Sequence, residues 1–301
     1  MDKTELLAVL GEDKIKMDEP LKNLTSFKIG GPADALARVS TVDELIKIIR
    51  YAKDANIPYF LLGNGSNVLV SDKGYRGIII QFSKDDVEVS VSGDTITADA
   101  GVTLSKLSQT AMNASLSGLE FASGIPGTLG GALFMNAGAY GGEMKQVVTK
   151  VKVLDTDSLH VIELSNEEMD FGYRHSILKE KNYIALGCEI KLSHSDKETI
   201  GAYMRELALK RKEKQPLEYP SAGSTFKRPE GYFAGKLIED SGLGGYSVGD
   251  AEVSEKHKGF VINKGNASAK DVRELIDYVI KTVKEKSGVT LEPEVLFLGE
   301  F

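Results

Sequence analysis

A stretch of twenty residues, GIPGTLGGALFMNAGAYGGE at 124–143, constrains the fold of this chain more than any other. Seven of the twenty residues are glycine, yet isoleucine, leucine, phenylalanine and methionine lie among them. A flexible linker combines glycine with serine and other polar residues, whereas this stretch is rich in glycine and apolar at once. We therefore expect an ordered segment whose backbone is approached so closely that side chains must be absent.

The overall composition narrows the class of protein. The 301 residues are enough for two or three domains, and the net charge of −7 argues against a general binder of nucleic acid or anionic membranes. The four histidines and the single cysteine, Cys188, lack the spacing of a zinc site, so we expect no metal. Cys188 lies in the alternating segment YIALGCEIKL, which predicts a strand with a buried structural thiol.

The N-terminal segment and the apolar runs bear on location. The first twenty residues are charged throughout, and no apolar stretch approaches the length of a membrane span. We therefore expect neither a signal peptide nor a membrane span, and a cytoplasmic protein. No feature of the sequence indicates an obligatory protein partner.

Apolar periodicity predicts an α+β protein. Thr41 and Glu44 form a predicted capping box for a helix. Alternation predicts a hairpin that turns at 92–94, and further strands at 147–154, 160–164 and 183–192. After Ser195 the pattern is mainly helical, and Ser268 and Gly288 mark the ends of the last long helix. The apolar face predicted for the first of these helices contains Val42, Leu45, Ile46, Ile49 and Ala52.

The first glycine loop, LLGNGSNVLVSD, follows a predicted strand. It begins like a dinucleotide-binding fingerprint, but Val68 occupies the third glycine position and a strand, not a helix, follows. Successive backbone N–H groups in a tight turn can converge on an anion, so a phosphate site and an ordinary β-turn both remain open. The residues of this candidate site are Gly63, Asn64, Gly65, Ser66 and Asn67.

The stretch at 124–143 is the second glycine loop. Gly127, Gly130 and Gly131 bracket a predicted turn after Pro126, and more glycines follow Asn136. A backbone without side chains lets a flat ring or a pyrophosphate lie against it. Two such loops suggest one extended ligand with phosphates and an aromatic ring, and the alternative is that the glycines allow tight packing of the protein itself.

Five motifs occur in order along the chain: GNGSNVLV, GIPGTLGGALFMNAGAYG, GYRHS, AGSTFKRP and LEPEVLFLG. Together they resemble the UDP-N-acetylenolpyruvoylglucosamine reductases, the flavoenzymes of peptidoglycan precursor synthesis, over about residues 24–298. The glycine loops alone would indicate only the wider vanillyl-alcohol-oxidase-like FAD-binding fold. The last three motifs single out the reductases. The chain resembles their shorter form, because ILKEKNYIALGCEIKLSHSD leaves no room for the inserted tyrosine segment of the longer form.

The resemblance implies a fold, a cofactor and two substrates. It implies a two-part FAD-binding domain of the vanillyl-alcohol-oxidase/PCMH type, at 1–80 and 81–195, and a C-terminal α+β substrate domain at 196–301, with a return of the last few residues to the first part as an option. FAD would be non-covalent, since no histidine precedes His160, with its pyrophosphate at 63–67. NADPH and UDP-N-acetylglucosamine enolpyruvate would be the substrates. The cofactor-binding residues implied in the second loop are Gly124, Ile125, Pro126, Gly127, Gly131, Asn136, Gly138 and Ala139.

The resemblance also assigns catalytic roles. Arg174 and Glu294 match residues beside the substrate carboxylate, where negative charge develops after hydride transfer. Ser224 matches the proton donor, and Tyr173 matches a tyrosine that contacts the substrate. From the residues alone, Arg174 can equally form a structural salt bridge, Ser224 can be an ordinary turn residue and Glu294 a surface charge.

Basic residues provide candidates for binding the substrate diphosphate. The segment LKRKEKQP contains Arg211 and Lys214, and the alternative is that its cations simply lie at a helix C-terminus. Lys227 follows Ser224 by three residues and is a candidate both to bind the substrate and to polarise the Ser224 hydroxyl. The reductase is the preferred hypothesis. An FAD-dependent oxidase of a small alcohol on the same fold, and a nucleotide-binding module without catalysis, are the alternatives.

Overall fold

The computed structural model describes residues 2–301 and confirms the α+β class. The helices are α1 (Lys3–Leu10), α2 (Val42–Asp54), α3 (Leu104–Asn113), α4 (Leu129–Met135), α5 (Lys197–Lys214), α6 (Ala234–Asp240) and α7 (Ala269–Ser287). The strands are β1 (Ile15–Pro20), β2 (Pro32–Val39), β3 (Tyr59–Leu61), β4 (Val68–Val70), β5 (Tyr75–Phe82), β6 (Val89–Ser92), β7 (Thr95–Asp99), β8 (Leu116–Ser117), β9 (Gly138–Ala139), β10 (Gly142–Glu143), β11 (Val148–Asp155), β12 (His160–Ser165), β13 (Tyr183–Lys191), β14 (Ser193–His194), β15 (Ser247–Val248), β16 (Ala251–Val253), β17 (Val261–Asn263) and β18 (Leu296–Leu298).

The strands form several sheets. The largest is antiparallel, with the order β12-β11-β13-β7-β6, and a second sheet has the order β1-β2-β5-β3. A smaller antiparallel sheet joins β15, β16 and β17. The last strand, β18, pairs in parallel with β4, and Leu296 lies opposite Val68. The end of the chain therefore returns to the strand that follows the first glycine loop.

The chain divides into two compact units, each built from several segments. The first unit contains the residues up to Lys16, Leu36–Asn64 and Ile78–Arg211, and the second contains Met17–Ala35, Gly65–Gly77 and Lys212–Phe301. These boundaries differ from the three domains expected at 1–80, 81–195 and 196–301, which stay a prediction. The difference arises because two early segments belong with the C-terminal part of the chain, and such long-range pairing leaves no local signal in the sequence.

Each unit has its own apolar core. In the first unit, α3 and α4 pack with the large antiparallel sheet, and Leu133 and Val151 are fully buried. In the second unit, α6 and α7 pack with β16 and β17, and Ile276 and Val279 are fully buried. Burial of apolar surface is the main favourable term in folding, so each unit has a core of its own from which loops can be positioned.

Most of the helix caps predicted from the sequence are present in the structure. Thr41 caps α2 by accepting a hydrogen bond from the Glu44 N–H at 3.2 Å. The predicted capping box is only half formed, because the Glu44 carboxylate accepts instead from the Ser40 N–H and from Lys14. The buried face of α2 contains Ile48, whereas Ile46 is half-buried. At α7, the predicted Ser268 cap and the left-handed residue at Gly288 are both confirmed.

Cys188 lies in the middle of β13 and is buried, as its alternating sequence predicted. Burial raises the pKa of its thiol far above the usual range. Since the thiolate is the reactive species, we expect no reaction of the folded protein with a thiol reagent such as Ellman's reagent within the time in which a free thiol reacts completely. One thiol should react after unfolding in urea. Rapid stoichiometric labelling of the folded protein would contradict the buried position.

Candidate functional site

The second glycine loop contains a short helix, which its high glycine content did not predict. Residues 129–135 form α4, which Thr128 caps by accepting a hydrogen bond from the Gly131 N–H at 3.4 Å. Asn136 ends the helix in the left-handed conformation, with φ 43°. Apolar burial of Leu129 and Leu133 stabilises this helix despite the two adjacent glycines, which favour helices poorly. The predicted turn is therefore a capped helix.

The rest of this loop is a tight hairpin. Gly138 and Ala139 form β9, which pairs with β10. Tyr140 and Gly141 form the two-residue turn between them, and both have positive φ, 52° and 89°. A two-residue hairpin turn favours this conformation, so Gly141 is explained by the turn itself.

The two glycine loops meet within the first unit. A Cβ atom on Gly63 would lie 2.6 Å from Thr128 Oγ1, and Asn64 Nδ2 donates a hydrogen bond to the Pro126 carbonyl at 3.2 Å. Gln81 Nε2 fixes the same segment by donating to the Gly63 carbonyl at 2.9 Å. The structure thus brings together Gly63, Asn64 and Pro126 from the predicted cofactor-binding set.

Several glycines are required by the protein itself. A Cβ atom on Gly65 would lie 2.3 Å from the Leu24 carbonyl oxygen, and Gly65 has φ 61°. A Cβ atom on Gly138 would lie 2.7 Å from the Gly142 carbonyl oxygen. These distances are far shorter than van der Waals contact, so neighbouring backbone accounts for both glycines. Tight packing, the alternative left open by the sequence, is correct for these two positions.

Two features near the loops are not explained by protein packing. Gly131 is exposed on α4, and a Cβ atom there would meet only Thr128 Oγ1, at the ordinary distance of 3.6 Å. Alanine would favour a helix more than glycine does, so the helix itself does not select glycine at this position. Asn64 Oδ1 is buried and has no hydrogen-bond partner among residues 2–301. A ligand fits both features if a flat ring or a phosphate lies against Gly131 and an N–H or O–H group donates to Asn64 Oδ1. FAD has a flat ring, phosphates and such donors.

The remaining members of the predicted cofactor set are spread over both units. Gly124 faces Arg211, whose Cδ would lie 3.2 Å from a Cβ atom on the glycine. Ile125 packs against the core of the first unit. Ser66 and Asn67 belong to the second unit, where Asn67 Nδ2 donates to the Glu294 carbonyl at 3.1 Å.

Arg174 lies at the tip of a turn of residues 172–175, which we call the arginine turn. Gly172 and His175 exchange two backbone hydrogen bonds of 3.1 and 3.2 Å, and Tyr173 and Arg174 lie between them. Arg174 has φ 53°, a left-handed conformation that costs a side-chain-bearing residue about 1 kcal/mol. Its guanidinium carbon lies 5.3 Å from the centroid of the Tyr173 ring, and Tyr173 is 55% exposed. A strained arginine beside an exposed tyrosine is typical of a functional position.

The Asn136 side chain lies against the arginine turn. Its Nδ2 donates to the Gly172 carbonyl at 2.9 Å and to Glu143 Oε2 at 3.1 Å, while its Oδ1 accepts from the Lys145 N–H at 2.9 Å. The side chain is 1% exposed. Asn136, which was predicted as a cofactor-binding residue, therefore also has hydrogen-bond partners within the protein that the sequence did not reveal.

Ser224 and Glu294 are carried by two paired segments of the second unit. The Lys227 N–H donates to the Glu292 carbonyl and the Glu294 N–H donates to the Thr225 carbonyl, each at 2.8 Å. Ser224 is half-buried, and its hydroxyl donates to the Phe226 carbonyl at 3.3 Å, which is long for an O–H donor. The serine motif and the final motif, about 70 residues apart in sequence, are thus neighbours.

The basic candidates have different surroundings. Lys227 pairs with Glu292 at 3.0 Å, so its ammonium group has a carboxylate partner in place of the Ser224 hydroxyl proposed from the sequence. Lys214 is exposed at the end of α5. Arg211 is half-buried beside Gly124, and this burial lowers the pKa of its guanidinium.

One residue near Ser224 was missed from the sequence. A Cβ atom on Gly259 would lie 3.5 Å from Ser224 Oγ and 3.0 Å from His257 Cε1, so both side chains border the same side of Gly259. His257 Nδ1 accepts a hydrogen bond from the Gly259 N–H at 3.2 Å, and burial lowers the pKa of the imidazole. Both effects favour the neutral ring. The segment KHKGF lies more than thirty residues from Ser224, so only the fold shows that they are close.

The fold and the glycine loops define a class of protein, and comparison with known proteins agrees with it. Residues 33–163 match the FAD binding domain family. The structure of 6-hydroxy-D-nicotine oxidase from Arthrobacter nicotinovorans covers 64% of this chain and 44% of its own, with a TM-score of 0.50 and 16% identity, which shows the fold alone. The chain therefore contains an FAD-binding domain of the vanillyl-alcohol-oxidase/PCMH type.

The chain belongs to the UDP-N-acetylenolpyruvoylglucosamine reductase family, whose C-terminal domain matches residues 215–298. It is 57% identical to the reductase of Caldanaerobacter subterraneus subsp. tengcongensis over 98% of this chain and 97% of that protein. It is 51% identical to the reductase of Clostridioides difficile over the same shares. The crystal structure of the reductase from Thermus caldophilus has a TM-score of 0.80 at 38% identity, and covers 95% of this chain and 98% of that one.

Among residues 2–301, no helix has the length and apolar character needed to cross a membrane, and no cluster of three or more histidine, cysteine, aspartate or glutamate side chains could hold a metal ion.

The packing of Gly65 predicts a stability effect that does not depend on any ligand. Gly65→Ala combines a left-handed backbone with a clash against Leu24, whereas Gly242→Ala has a similar φ of 71° and no neighbour within 4 Å. We expect Gly242→Ala to cost about 1 kcal/mol of unfolding free energy and Gly65→Ala about 2 kcal/mol more. Urea unfolding with and without added FAD measures both. Equal losses in the two variants without FAD would show that the clash is absent.

Proposed function

We propose that the chain reduces UDP-N-acetylglucosamine enolpyruvate to UDP-N-acetylmuramate with NADPH as the electron donor and FAD as the cofactor. The reaction adds a hydride and a proton across the enolpyruvyl double bond and releases NADP⁺. It is a step of peptidoglycan precursor synthesis, and because NADPH is an intracellular reductant we place it in the cytoplasm. Family membership over nearly the whole chain supports this function.

The residues that we propose to hold FAD lie mainly on the two glycine loops. FAD, when bound, accepts a hydride from one ligand and gives it to another. Asn64 Oδ1, buried and without a partner among the described residues, is positioned to accept a hydrogen bond from it. Gly131 offers an exposed helix surface without a side chain. The full proposed set is Gly63, Asn64, Gly65, Ser66, Asn67, Gly124, Ile125, Pro126, Gly127, Gly131, Asn136, Gly138 and Ala139.

The observation that carries the catalytic assignment is the pairing of the Ser224 segment with the Glu294 segment. Two motifs that distinguish these reductases are far apart in sequence, yet they form one short ladder in the second unit. We propose that Ser224 Oγ gives the proton to the substrate carbon, and that Glu294 lies beside the substrate carboxylate. A hydroxyl is a weak acid, so it needs a position within hydrogen-bond distance of the carbon that it protonates.

Arg174 is proposed to stabilise the negative charge that develops on the substrate carboxylate and the adjacent carbon. A guanidinium presents several N–H donors in one plane, and donors fixed in advance toward developing charge give one of the largest contributions to catalysis. Tyr173, exposed next to it, is proposed to contact the substrate. Arg211 and Lys214 are proposed to bind the substrate diphosphate, and Lys227 is proposed to contact the substrate.

Gly131→Ala tests the cofactor site without disturbing the fold. The new methyl group meets only ordinary contacts, and alanine favours helix by up to about 1 kcal/mol, so the FAD-free variant should be as stable as the parent or more stable. If FAD lies against this face, the methyl group should weaken its binding at least about tenfold, which corresponds to 1.4 kcal/mol. Titration of the FAD-free protein, followed by flavin fluorescence, measures the dissociation constant.

The matched control is Gly201→Ala, since Gly201 is also a helical glycine of the first unit. A Cβ atom there would meet the flexible end of Arg205 and the Met112 sulfur at 3.3 Å. This variant should bind FAD like the parent. If Gly131→Ala binds FAD with unchanged affinity, this helix face is not part of the FAD site, and the glycine at position 131 has no explanation.

Ser224→Ala tests the proton donor and separates a catalytic serine from a structural one. Its long hydrogen bond to Phe226 predicts a stability loss of only about 1 kcal/mol. Reduction of the flavin by NADPH should keep nearly its normal rate, while reoxidation by the enolpyruvyl substrate should slow at least about 100-fold. Anaerobic stopped-flow absorbance of the flavin follows each half-reaction separately.

Ser224→Cys is the companion variant, because a thiol can also donate a proton. Partial recovery of reoxidation in this variant is expected. Normal reoxidation in Ser224→Ala would end the assignment of Ser224 as the donor, and equal slowing of both half-reactions would point to a general effect on the flavin site.

A further inference from the structure

We propose that Asn136 is a positioning residue for Arg174, and that its buried amide holds the arginine turn in the conformation that directs the guanidinium. This inference rests on the proposed role of Arg174 in stabilising substrate charge. It assigns to Asn136 a role through Arg174 that is separate from any contact with the cofactor.

The arginine turn has a conformation that arginine does not favour. Its two backbone hydrogen bonds close the turn, but they also exist in turns whose tip residue has a different φ. Arg174 at φ 53° occupies a region that glycine and asparagine enter far more readily. Contacts from outside the turn must therefore select this conformation over the alternatives.

Asn136 supplies a restrictive contact of this kind. The Gly172 carbonyl, which begins the turn, accepts from the His175 N–H within the turn and from Asn136 Nδ2 outside it. The same amide donates to Glu143 and accepts from the Lys145 N–H, so its donor end and its acceptor end are both engaged. An amide side chain with partners at both ends has one orientation, and that orientation fixes the position of the Gly172 peptide.

Two lysines hold neighbouring carbonyls of the same segment. Lys179 Nζ donates to the Arg174 carbonyl at 2.7 Å, and Lys145 Nζ donates to the Phe171 carbonyl at 3.1 Å. Lysine side chains are long and flexible, and they set a position less strictly than a buried amide. The carbonyls of Phe171, Gly172 and Arg174 thus accept hydrogen bonds from side chains outside the turn, and the most rigid of these side chains is that of Asn136.

The identity of residue 136 is doubly constrained. Its backbone is left-handed, with φ 43°, where α4 ends, and its side chain must present both a donor and an acceptor. Glycine satisfies the first requirement and not the second, and glutamine satisfies the second and not the first. Asparagine satisfies both.

The test is a double-mutant cycle between Asn136→Gly and Arg174→Asn. Asn136→Gly keeps the left-handed helix end and removes only the amide. Arg174→Asn removes the guanidinium and leaves a residue that adopts the left-handed conformation readily. Each of the two single variants, the double variant and the parent, all with bound FAD, is measured for flavin reduction by NADPH, for flavin reoxidation by the enolpyruvyl substrate, and for thermal unfolding.

With Arg174 present, Asn136→Gly should slow reoxidation by about 10- to 100-fold, the effect of misplacing a reacting group by about 1 Å. Any effect of Asn136→Gly on reduction by NADPH, which a contact of Asn136 with FAD would produce, should be the same with and without Arg174. In the Arg174→Asn background, the same substitution should change reoxidation by less than about threefold, because the group that it positions is gone. Thermal unfolding checks that each of the four proteins is folded at the temperature of the rate measurements.

Asn166→Gly is the matched control. Asn166 Nδ2 also donates to two backbone carbonyls of the first unit, those of Lys145 and Val148, at 2.9 and 2.7 Å, and its hydrogen bonds do not reach the arginine turn. This variant should lower thermal stability to a similar degree and leave both half-reactions unchanged. Should Asn136→Gly fail to fold, Asn136→Asp combined with Glu143→Gln takes its place in the cycle. The aspartate keeps the acceptor for Lys145 and loses the donor to Gly172, and the glutamine avoids two carboxylates in contact.

Equal slowing by the Asn136 substitution with and without Arg174 would overturn the proposal, as would unchanged reoxidation when Arg174 is present. A failure of the underlying assignment gives a different result: reoxidation would then be normal in Arg174→Asn itself. The two failures are therefore distinguished within one set of four proteins.

Discussion

The hydrogen bonds that join residues 292–298 to two distant segments are the constraint on which the second unit depends. The Glu294 N–H bonds to Thr225, the Glu294 carbonyl accepts from Asn67, and β18 continues along β4. Closing such long loops costs conformational entropy, so the ladder forms only as part of a folded unit. In the folded unit, these hydrogen bonds fix the Glu294 backbone through both its N–H and its carbonyl group. They also fix the backbone next to Ser224.

The glycine loops show why a glycine-rich motif is ambiguous when only the sequence is known. Gly65 and Gly138 are glycine because neighbouring backbone leaves no space for a Cβ atom, whereas Gly131 has space on an exposed helix face. The three positions look alike in the sequence. A ligand and a neighbouring peptide exclude a side chain by the same steric repulsion, so only the coordinates show which of the two is responsible.

Elements with local signals could be predicted from the sequence, and elements formed by distant segments could not. The hairpin of β6 and β7 and the caps of α7 follow from residues within a few positions of one another. Helix α4 was hidden because its glycines lower helix propensity, while its caps, Thr128 and Asn136, are visible only once the helix is known. The parallel pairing of β18 with β4, and the division into two units, depend on contacts that no local pattern encodes.

The same distinction applies to the candidate site. Motifs predicted Arg174, Ser224 and Glu294 as site residues, because a resemblance to a family carries residues over one position at a time. The partners of those residues, such as Asn136 below the arginine turn and His257 beside Gly259, follow from the fold alone.

If Arg174 has its proposed role, its left-handed conformation shows how stability and chemistry compete at one position. A residue with a large side chain in this conformation destabilises the fold by a small amount, and glycine or asparagine would remove that cost. The chain nevertheless has arginine here. The side chains of Asn136, Lys145 and Lys179 donate hydrogen bonds to backbone carbonyls of this segment, and a different backbone conformation would break these bonds. Stabilisation of developing charge requires donors that do not reorganise during the reaction, because reorganisation would consume the energy that the donors supply. A strained turn held at several carbonyls meets this requirement better than a relaxed and mobile loop.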